Sequence, residues 1–415
     1  MTFNTTDLTI VNAQIPDRSG LWNIGIAQAQ IIDISPAIAP EAPAVEIIDA
    51  GGRLVISGLV DAHFHLDKAL LLDRYPAQEG NFAEAMRETL RLKQSFTVED
   101  IQSRARQMIE RAIAFGITAM RSHVEVDPIV GLTGMEALLP LRTEYAWGMT
   151  LQLAVFAQEG MTPATEKLLR QAMAMGGDVI GSAPYVDADP ERNVQIIFDI
   201  AQDFDCDVDF HLDFLDDSEP LLVPFVIQET VKRGWQGRVC LGHMTKLAAL
   251  EPGELAAIAP ALRAAGISVL ALPASDLYMM SRQDTHNVRR GVAPVHQLAE
   301  LGVNVGLATN NVMNLFTPFG DGDVLKICML LAQVLQMGTI ASHQLCLRMA
   351  TTQAARAIGI ETYGVEVGKT ADLVILDARS VSEAIASPVG RTVIKQGKVV
   401  ASSRLESQLY REHHR

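Results

Sequence analysis

The stretch Leu54-Val55-Ile56-Ser57-Gly58-Leu59-Val60-Asp61-Ala62-His63-Phe64-His65 joins an apolar run to a pair of histidines. Successive side chains of a strand point to opposite faces, so His63 and His65 share one face. Two imidazoles on the same side of a buried strand end can bind one metal ion. Asp67 and Lys68 follow at once and place an acid and a cation near the same point. The stretch therefore predicts a strand that ends at a metal site.

The middle of the chain alternates predicted strands with predicted helices. Apolar runs indicate eight strands, which end near His65, His123, Phe156, Pro184, His211, His243, Pro273 and Thr309. Helical patterns lie between them at residues 97–115, 165–175, 193–204, 219–233, 251–265 and 294–301. Eight strand–helix units in about 300 residues are typical of a (β/α)8 TIM barrel, whose active site lies at the carboxyl ends of the strands. A doubly wound open sheet is the alternative, but no Gly-x-Gly-x-x-Gly turn follows an early strand.

Both ends of the chain contain short predicted strands joined by turns. At the start these are residues 8–12, 22–26, 30–34 and 45–48, and near the end a strand at 373–376 precedes a hairpin at 392–400. We therefore expect a small β-sandwich domain built from both termini, residues 1–57 and 365–402. The TIM-barrel catalytic domain would then occupy residues 58–364, followed by a C-terminal tail at 403–415.

Composition excludes several classes of partner. The chain has 415 residues and a formal net charge of −15, which would repel nucleic acid and anionic membranes. No apolar run approaches the roughly 18 residues that span a bilayer, and the first residues lack the features of a secretory signal. The four cysteines lie in apolar segments without metal-type spacing, as expected for reduced, buried thiols. We expect a cytoplasmic protein with neither nucleic-acid nor membrane partners.

Three further histidines lie at predicted strand ends. His211 ends the fifth strand, His243 the sixth and His123 the second. Convergence on the rim of a barrel favours a functional site over a structural role. We interpret His211 as a metal ligand, and His243 as a ligand or as a group that stabilises charge developing on an intermediate. For His123, a structural and a catalytic role are equally compatible with the sequence.

On these residues the chain resembles the metal-dependent amidohydrolase superfamily, most closely its branch of cytosine deaminases and N-isopropylammelide-type triazine hydrolases. The resemblance covers nearly the whole chain, and its most specific stretches are residues 63–68 (HFHLDK), 156–160 (FAQEG), 211–217 (HLDFLDD), 289–291 (RRG) and 368–376 (GKTADLVIL). It implies that His63, His65 and His211 bind the metal. It also implies that His243 contacts a substrate carbonyl or hydroxide, and that the Gln158 amide, both donor and acceptor, reads a pyrimidine ring edge.

The sequence departs from the family pattern at two positions. Cytosine deaminases have a proton-shuttling glutamate three residues after the strand-five histidine, where this chain has Phe214. The superfamily has a metal-binding aspartate at the end of strand eight, where this chain has Asn310, a neutral amide and a poor base. Three neutral imidazoles without a carboxylate should hold one divalent ion, zinc or iron, weakly or not at all. We predict that Phe214, Asn310 and the adjacent Asn311 contact the substrate.

Proton transfer could come from other residues near the strand ends. We predict that Asp213, Asp216 or Lys68 carries the proton, and the triazine hydrolases resemble this chain in having a lysine at the position of Lys68. Metal binding also lowers the pKa of water to about 7, which reduces the demand for a strong base.

The sequence supports one leading hypothesis and two alternatives. The first is a hydrolase that cleaves a C–N bond of a small cyclic or N-substituted nitrogen compound through a metal-activated water. The second is a non-catalytic or repurposed small-molecule-binding protein on the same scaffold, because Phe214 and Asn310 replace the expected acids. The third is a metal-free isomerase or lyase that uses Lys68 and the nearby acids. The resemblance alone implies a homo-oligomer.

Overall fold

The computed structural model describes residues 6–37, 44–216 and 220–410, and none of the helices in these ranges has the length and apolarity needed to cross a bilayer. The strands described are β1 Thr6–Ala13, β2 Trp22–Ala27, β3 Gln30–Pro36, β4 Ala44–Asp49, β5 Leu54–Ser57, β6 Leu59–Phe64, β7 Ile117–Glu125, β8 Thr150–Ala157, β9 Val179–Ser182, β10 Asp207–Leu212, β11 Val239–His243, β12 Ser268–Ala271, β13 Asn304–Leu307, β14 Leu373–Leu376, β15 Arg391–Lys395 and β16 Lys398–Ser403. The α-helices described are α1 Phe82–Lys93, α2 Val98–Ala114, α3 Thr133–Glu144, α4 Pro163–Gly176, α5 Pro190–Phe204, α6 Val223–Arg233, α7 Pro252–Ala264, α8 Pro273–Met279, α9 Val295–Glu300, α10 Val324–Val334, α11 Ile340–Met349, α12 Thr352–Ala357 and α13 Val381–Ala386.

Strands β6 to β13 form one parallel sheet in which each strand pairs with the next along the chain. The sheet closes because the Asn310 N–H donates to the His63 carbonyl (2.9 Å) and the His65 N–H donates to the Asn310 carbonyl (3.0 Å). Parallel strands covered by helices are buried on both faces, which accounts for their nearly continuous apolar sequences. Each strand ends within two residues of the predicted position. The predicted (β/α)8 TIM barrel is confirmed.

Capping residues set the starts of several barrel helices. The Thr97 hydroxyl accepts the Asp100 N–H (3.2 Å) at the start of α2, which matches the predicted helix at residues 97–115. Helix α1, which sequence reasoning did not anticipate, begins in the same way, with the Asn81 side chain accepting the Glu84 N–H (2.9 Å). This helix lies between β6 and α2, outside the simple strand–helix alternation.

Two four-stranded sheets from the chain ends pack on each other as a sandwich. One sheet has the order β3-β2-β1-β4 and the other the order β16-β15-β14-β5. Buried apolar side chains from both sheets, such as Ile10, Ile24, Val55 and Ile375, form one core between them. The sandwich built from both termini is thus confirmed. The domain boundaries stay a prediction, and residues 1–5, 38–43 and 411–415 of those ranges lie outside the described residues.

Candidate active site

Five buried histidines, His63, His65, His123, His211 and His243, meet at the carboxyl ends of the barrel strands and are called the histidine cluster below. The Nε2 atom of His211 lies 3.1 Å from Nε2 of His63 and 3.1 Å from Nε2 of His65. Neighbouring parallel strands open at the same rim, so residues far apart in sequence come together there. Three of the predicted site residues therefore point one nitrogen each at a common point.

The ring nitrogens of His63, His65 and His211 fit a divalent metal ion. An ion about 2.0–2.1 Å from each of two nitrogens holds them about 2.9–3.4 Å apart. Burial, reinforced by neighbouring histidines, holds the pKa of all three rings well below the ordinary value, and nearby Lys68 adds to this for His63 and His65. The rings are therefore neutral, as metal binding requires. The Asn310 Oδ1 atom nearby is buried and has no hydrogen-bond partner among the described residues.

A buried ion pair supports the histidine cluster from deeper in the barrel. Asp209 lies two residues before His211 on the same face of β10, and its Oδ2 atom accepts from Arg121 (2.9 Å). Its Oδ1 atom lies 3.3 Å from His123 Nε2 and 3.9 Å from His63 Nδ1. The His123 ring packs on the His63 ring, with centroids 3.9 Å apart. The group of ring nitrogens that all lie within 4.8 Å of one another is His63, His123 and His211, and it does not include His65. The contacts of His123 with Asp209 and His63 nevertheless favour a supporting role beneath the ligands.

His243 is held by a carboxylate that sequence reasoning missed. Its Nδ1 atom lies 2.7 Å from Asp276 Oδ1, and the second oxygen of Asp276 accepts the Leu272 N–H (3.2 Å). Asp276 is fully buried; burial raises the pKa of its carboxyl, and the contact with His243 opposes that rise. His243 itself has a left-handed backbone conformation (φ 70°).

A second group of buried charges, the lysine cluster (Lys68, Lys93, Glu125, Asp127 and Glu159), lies beside the histidines. Lys68 forms an ion pair with Glu125, while Lys93 from α1 contacts Glu125, Glu159 and Asp127 (3.0 Å). The three carboxylates lie close enough together to hold a cation. The Lys93 ammonium already contacts all three carboxylates. Burial alone would lower the pKa of Lys93, but the three carboxylates raise it. We therefore assign no metal to this cluster.

A small, half-open cavity of about 20 Å³ lies above the histidines. It is lined by His65, Lys68, Phe82, Gln158, Tyr185, His211, Phe214, His243, Ser275, Met279, Asn310, Asn311 and Phe316. Phe82, Tyr185, Phe214 and Phe316 form an aromatic roof, in which the Phe82 ring centroid lies 5.5 Å from that of Phe214 and 6.3 Å from that of Phe316. A larger cleft of about 330 Å³ near the sandwich shares no residue with this site.

Comparisons with known proteins agree with this architecture. Residues 78–401 match the model of an amidohydrolase family. The chain belongs to this amidohydrolase family. It is 30% identical over 407 residues to an N-isopropylammelide isopropyl amidohydrolase of Pseudomonas sp. (95% of this chain, 97% of the relative) and 28% identical over 408 residues to a pterin deaminase of Rhizobium rhizogenes (95% and 92%). A 5-methylcytosine deaminase structure from Klebsiella pneumoniae, liganded with 5-fluorocytosine, superposes with a TM-score of 0.91 at 29% identity (97% and 99%).

Most of the predicted site residues of this amidohydrolase-family protein line the cavity. Gln158 lines it, and its amide nitrogen lies 3.5 Å from the Tyr185 hydroxyl. Asn310 and Asn311 also line it, and the Asn311 Oδ1 atom accepts from Asn314 (2.8 Å). Phe214 packs on His243, with ring centroids 4.5 Å apart. The two departures from the family pattern thus both face the site.

Three predicted site residues do not line the cavity: His63, which lies below it against His211, and the two acids Asp213 and Asp216. The Asp213 carboxylate accepts the N–H groups of Leu222 (2.8 Å) and Val223 (3.0 Å) at the start of α6. The Asp216 carboxylate accepts the Ser281 N–H (2.8 Å). Both carboxylates are used to hold loop backbone, so the predicted proton-transfer role does not fit their placement.

Proposed function

We propose that this protein is a hydrolase that uses one divalent metal ion to cleave a C–N bond of a small cyclic nitrogen compound. The observation that carries the proposal is that the Nε2 atoms of His63 and His65 both lie 3.1 Å from Nε2 of His211, at the base of a small, half-open cavity. Membership of the amidohydrolase family and similarity to one amidohydrolase and two deaminases support the same reaction class.

The metal would be held by the three neutral imidazoles, with the Asn310 amide oxygen as a weak further ligand. When bound, a divalent ion such as zinc or iron supplies Lewis-acid activation of water or of a carbonyl oxygen. The buried Asp209, whose Oδ1 atom lies 3.9 Å from His63 Nδ1, adds negative charge below the ligand set. Without a carboxylate ligand, we expect weaker affinity than a site with three histidines and an aspartate would have.

The cavity walls favour a flat, polar ring as the substrate. The aromatic roof covers the ring face by stacking, and the Gln158 amide offers a donor and an acceptor to the ring edge. Lys68 adds a positive charge at the wall, although its ion pair with Glu125 partly neutralises that charge. The relatives named above act on an ammelide, a pterin and 5-methylcytosine, so pyrimidines, triazines and pterins are the substrate classes we propose first.

The experiment that tests this proposal measures the release of ammonia or amine by metal-loaded protein from a panel of pyrimidines, triazines, pterins and cyclic ureas. We expect ammonia or amine to be released from at least one class of compound. His211→Ala should abolish this release, because it removes the nitrogen that lies 3.1 Å from both His63 Nε2 and His65 Nε2. Full metal loading without any release would contradict the proposal.

The second candidate is a binding protein without turnover on the same scaffold. Two observations favour it, since neither Phe214 nor Asn310 can act as the acid that the family pattern places there. This candidate predicts that a panel compound raises the melting temperature without release of ammonia or amine. The same panel therefore separates the two candidates.

A further inference from the structure

Asp276 and His243 form a buried pair at the wall of the cavity. His243 lines the cavity with its side chain only slightly exposed, and Asp276 has no exposed surface. Since the Nδ1 atom of His243 contacts Asp276, Nε2 is the ring nitrogen left to face the cavity. Neither residue belongs to the three proposed metal ligands, so the pair is available for another role.

The orientation of the Asp276 carboxylate is fixed from both sides. One oxygen contacts His243 Nδ1 (2.7 Å), and the other accepts the Leu272 N–H (3.2 Å). A carboxylate can only accept from Nδ1, so it favours the tautomer in which Nδ1 carries the hydrogen. In that tautomer Nε2 has a free lone pair.

The site needs a proton acceptor, and the other expected groups do not supply one. Asp213 and Asp216 hold loop backbone, Phe214 is apolar and Asn310 is a neutral amide. Lys68 is ion-paired with Glu125. Among the described residues that line the cavity, this leaves the Nε2 atom of His243 as the best-placed acceptor.

We propose that Asp276 is a positioning residue that fixes the tautomer of His243, so that His243 Nε2 accepts the proton of the attacking water. This inference rests on the proposed hydrolase function. The water oxygen forms a bond to the substrate carbon while one water proton moves to Nε2. As the C–N bond breaks, Nε2 returns that proton to the departing nitrogen, so that the sum of the steps is the addition of one water across the C–N bond.

Asp276→Asn is the sharpest test. The Leu272 N–H needs an acceptor, so it favours the orientation in which the new amide turns its oxygen toward Leu272. The amide oxygen accepts from Leu272, and the NH2 group then donates to His243 Nδ1, which forces the hydrogen to Nε2. We expect kcat to fall roughly 10²- to 10⁴-fold while KM changes little. Asp323→Asn is the matched control, a buried aspartate that pairs with Arg391 far along the chain and should leave kcat unchanged.

A spectroscopic measurement tests the pair independently of turnover. Nitrogen-15 NMR of the ring nitrogens at about pH 8, where an ordinary histidine is neutral, reports the tautomer, with His243→Gln used for assignment. We expect hydrogen on Nδ1 of His243 in the wild type and on Nε2 in Asp276→Asn. Hydrogen on Nε2 in the wild type overturns the inference even if the variant fails to fold. So does an unchanged kcat in a folded Asp276→Asn.

The two proposals fail separately. If no compound in the panel is hydrolysed but the wild-type spectrum shows hydrogen on Nδ1, the hydrolase proposal fails and the positioning by Asp276 stands. If hydrolysis occurs and the spectrum shows hydrogen on Nε2, the hydrolase proposal stands and the role of Asp276 is refuted.

Discussion

At the scale of single residues, we expect Asn310 to set how strongly the proposed site binds a metal ion. Its main chain closes the barrel against His63 and His65, and it lines the cavity together with His65 and His211. The Oδ1 atom is buried without a hydrogen-bond partner among the described residues. A neutral amide there offers an oxygen but no charge.

We therefore predict that Asn310→Asp raises zinc affinity by about tenfold or more, since even loss of a ligand's supporting partner costs 10- to 100-fold. Zinc competition with a chromophoric chelator measures the change. Asn311→Asp is the control: it adds the same charge one residue away, where Asn314 holds the side chain (2.8 Å), and should change the affinity far less. Equal effects of the two variants would mean that position 310 does not face the metal.

Sequence reasoning located the histidines because strand ends of a barrel must meet at one rim. It missed Asp276 because that residue lies inside α8, where its pairing with His243 depends on how two neighbouring segments pack. It also assigned chemistry to Asp213 and Asp216, since an acidic side chain after a strand looks the same in sequence whether it faces substrate or backbone amides.

At the scale of elements, helix α1 covers the site and is anchored by side-chain contacts at both ends. Phe82 at its start lies in the aromatic roof, and Lys93 at its end is held by Glu125, Asp127 and Glu159. This helix was not predicted from the sequence. Its position over the cavity comes from contacts with residues in β7 and after β8, which sequence patterns do not reveal.

Removing the central ring of the roof should weaken substrate binding. We predict that Phe82→Ala raises KM roughly 2- to 10-fold, the equivalent of one lost aromatic contact, and lowers kcat less. Steady-state kinetics on a compound found in the panel measures both constants. Phe204→Ala, at the exposed end of α5, is the control for loss of a phenyl ring. A KM unchanged by Phe82→Ala would exclude the roof from substrate contact.

The lysine cluster should make stability depend on pH. Burial, and then repulsion from Glu125, raise the pKa of Glu159 to about 7 from its ordinary 4.5. Between these two values the folded chain holds a proton that the unfolded chain has lost, so stability falls as pH rises through this interval.

We predict that Glu159→Gln reduces the fall in melting temperature between about pH 5 and pH 8, because the glutamine has no proton to lose. Differential scanning calorimetry of the wild type and the variant measures both falls. The exposed Glu361→Gln should behave like the wild type. A fall of the same size in Glu159→Gln would contradict the raised pKa.

At the scale of the whole molecule, the alternation of apolar strands with helices was enough to predict the barrel, and short strands at both termini were enough to predict the sandwich. Strand β5 connects the sandwich to the barrel. It pairs with β14 from the other end of the chain, and β6, the first barrel strand, follows directly after it. The barrel in turn brings the imidazole rings of His63, His65 and His211 together at the proposed metal site.

The central claim is that this site, which has no aspartate ligand, still binds a metal ion that is needed for hydrolysis. The most direct measurement is to add zinc stepwise to the metal-free protein and follow, in the same samples, bound zinc and the release of ammonia or amine from the most reactive compound of the panel. We predict that release rises in proportion to bound zinc and levels off at one zinc per chain. Release that is unchanged in the metal-free protein, or no release at one zinc per chain, would contradict the account.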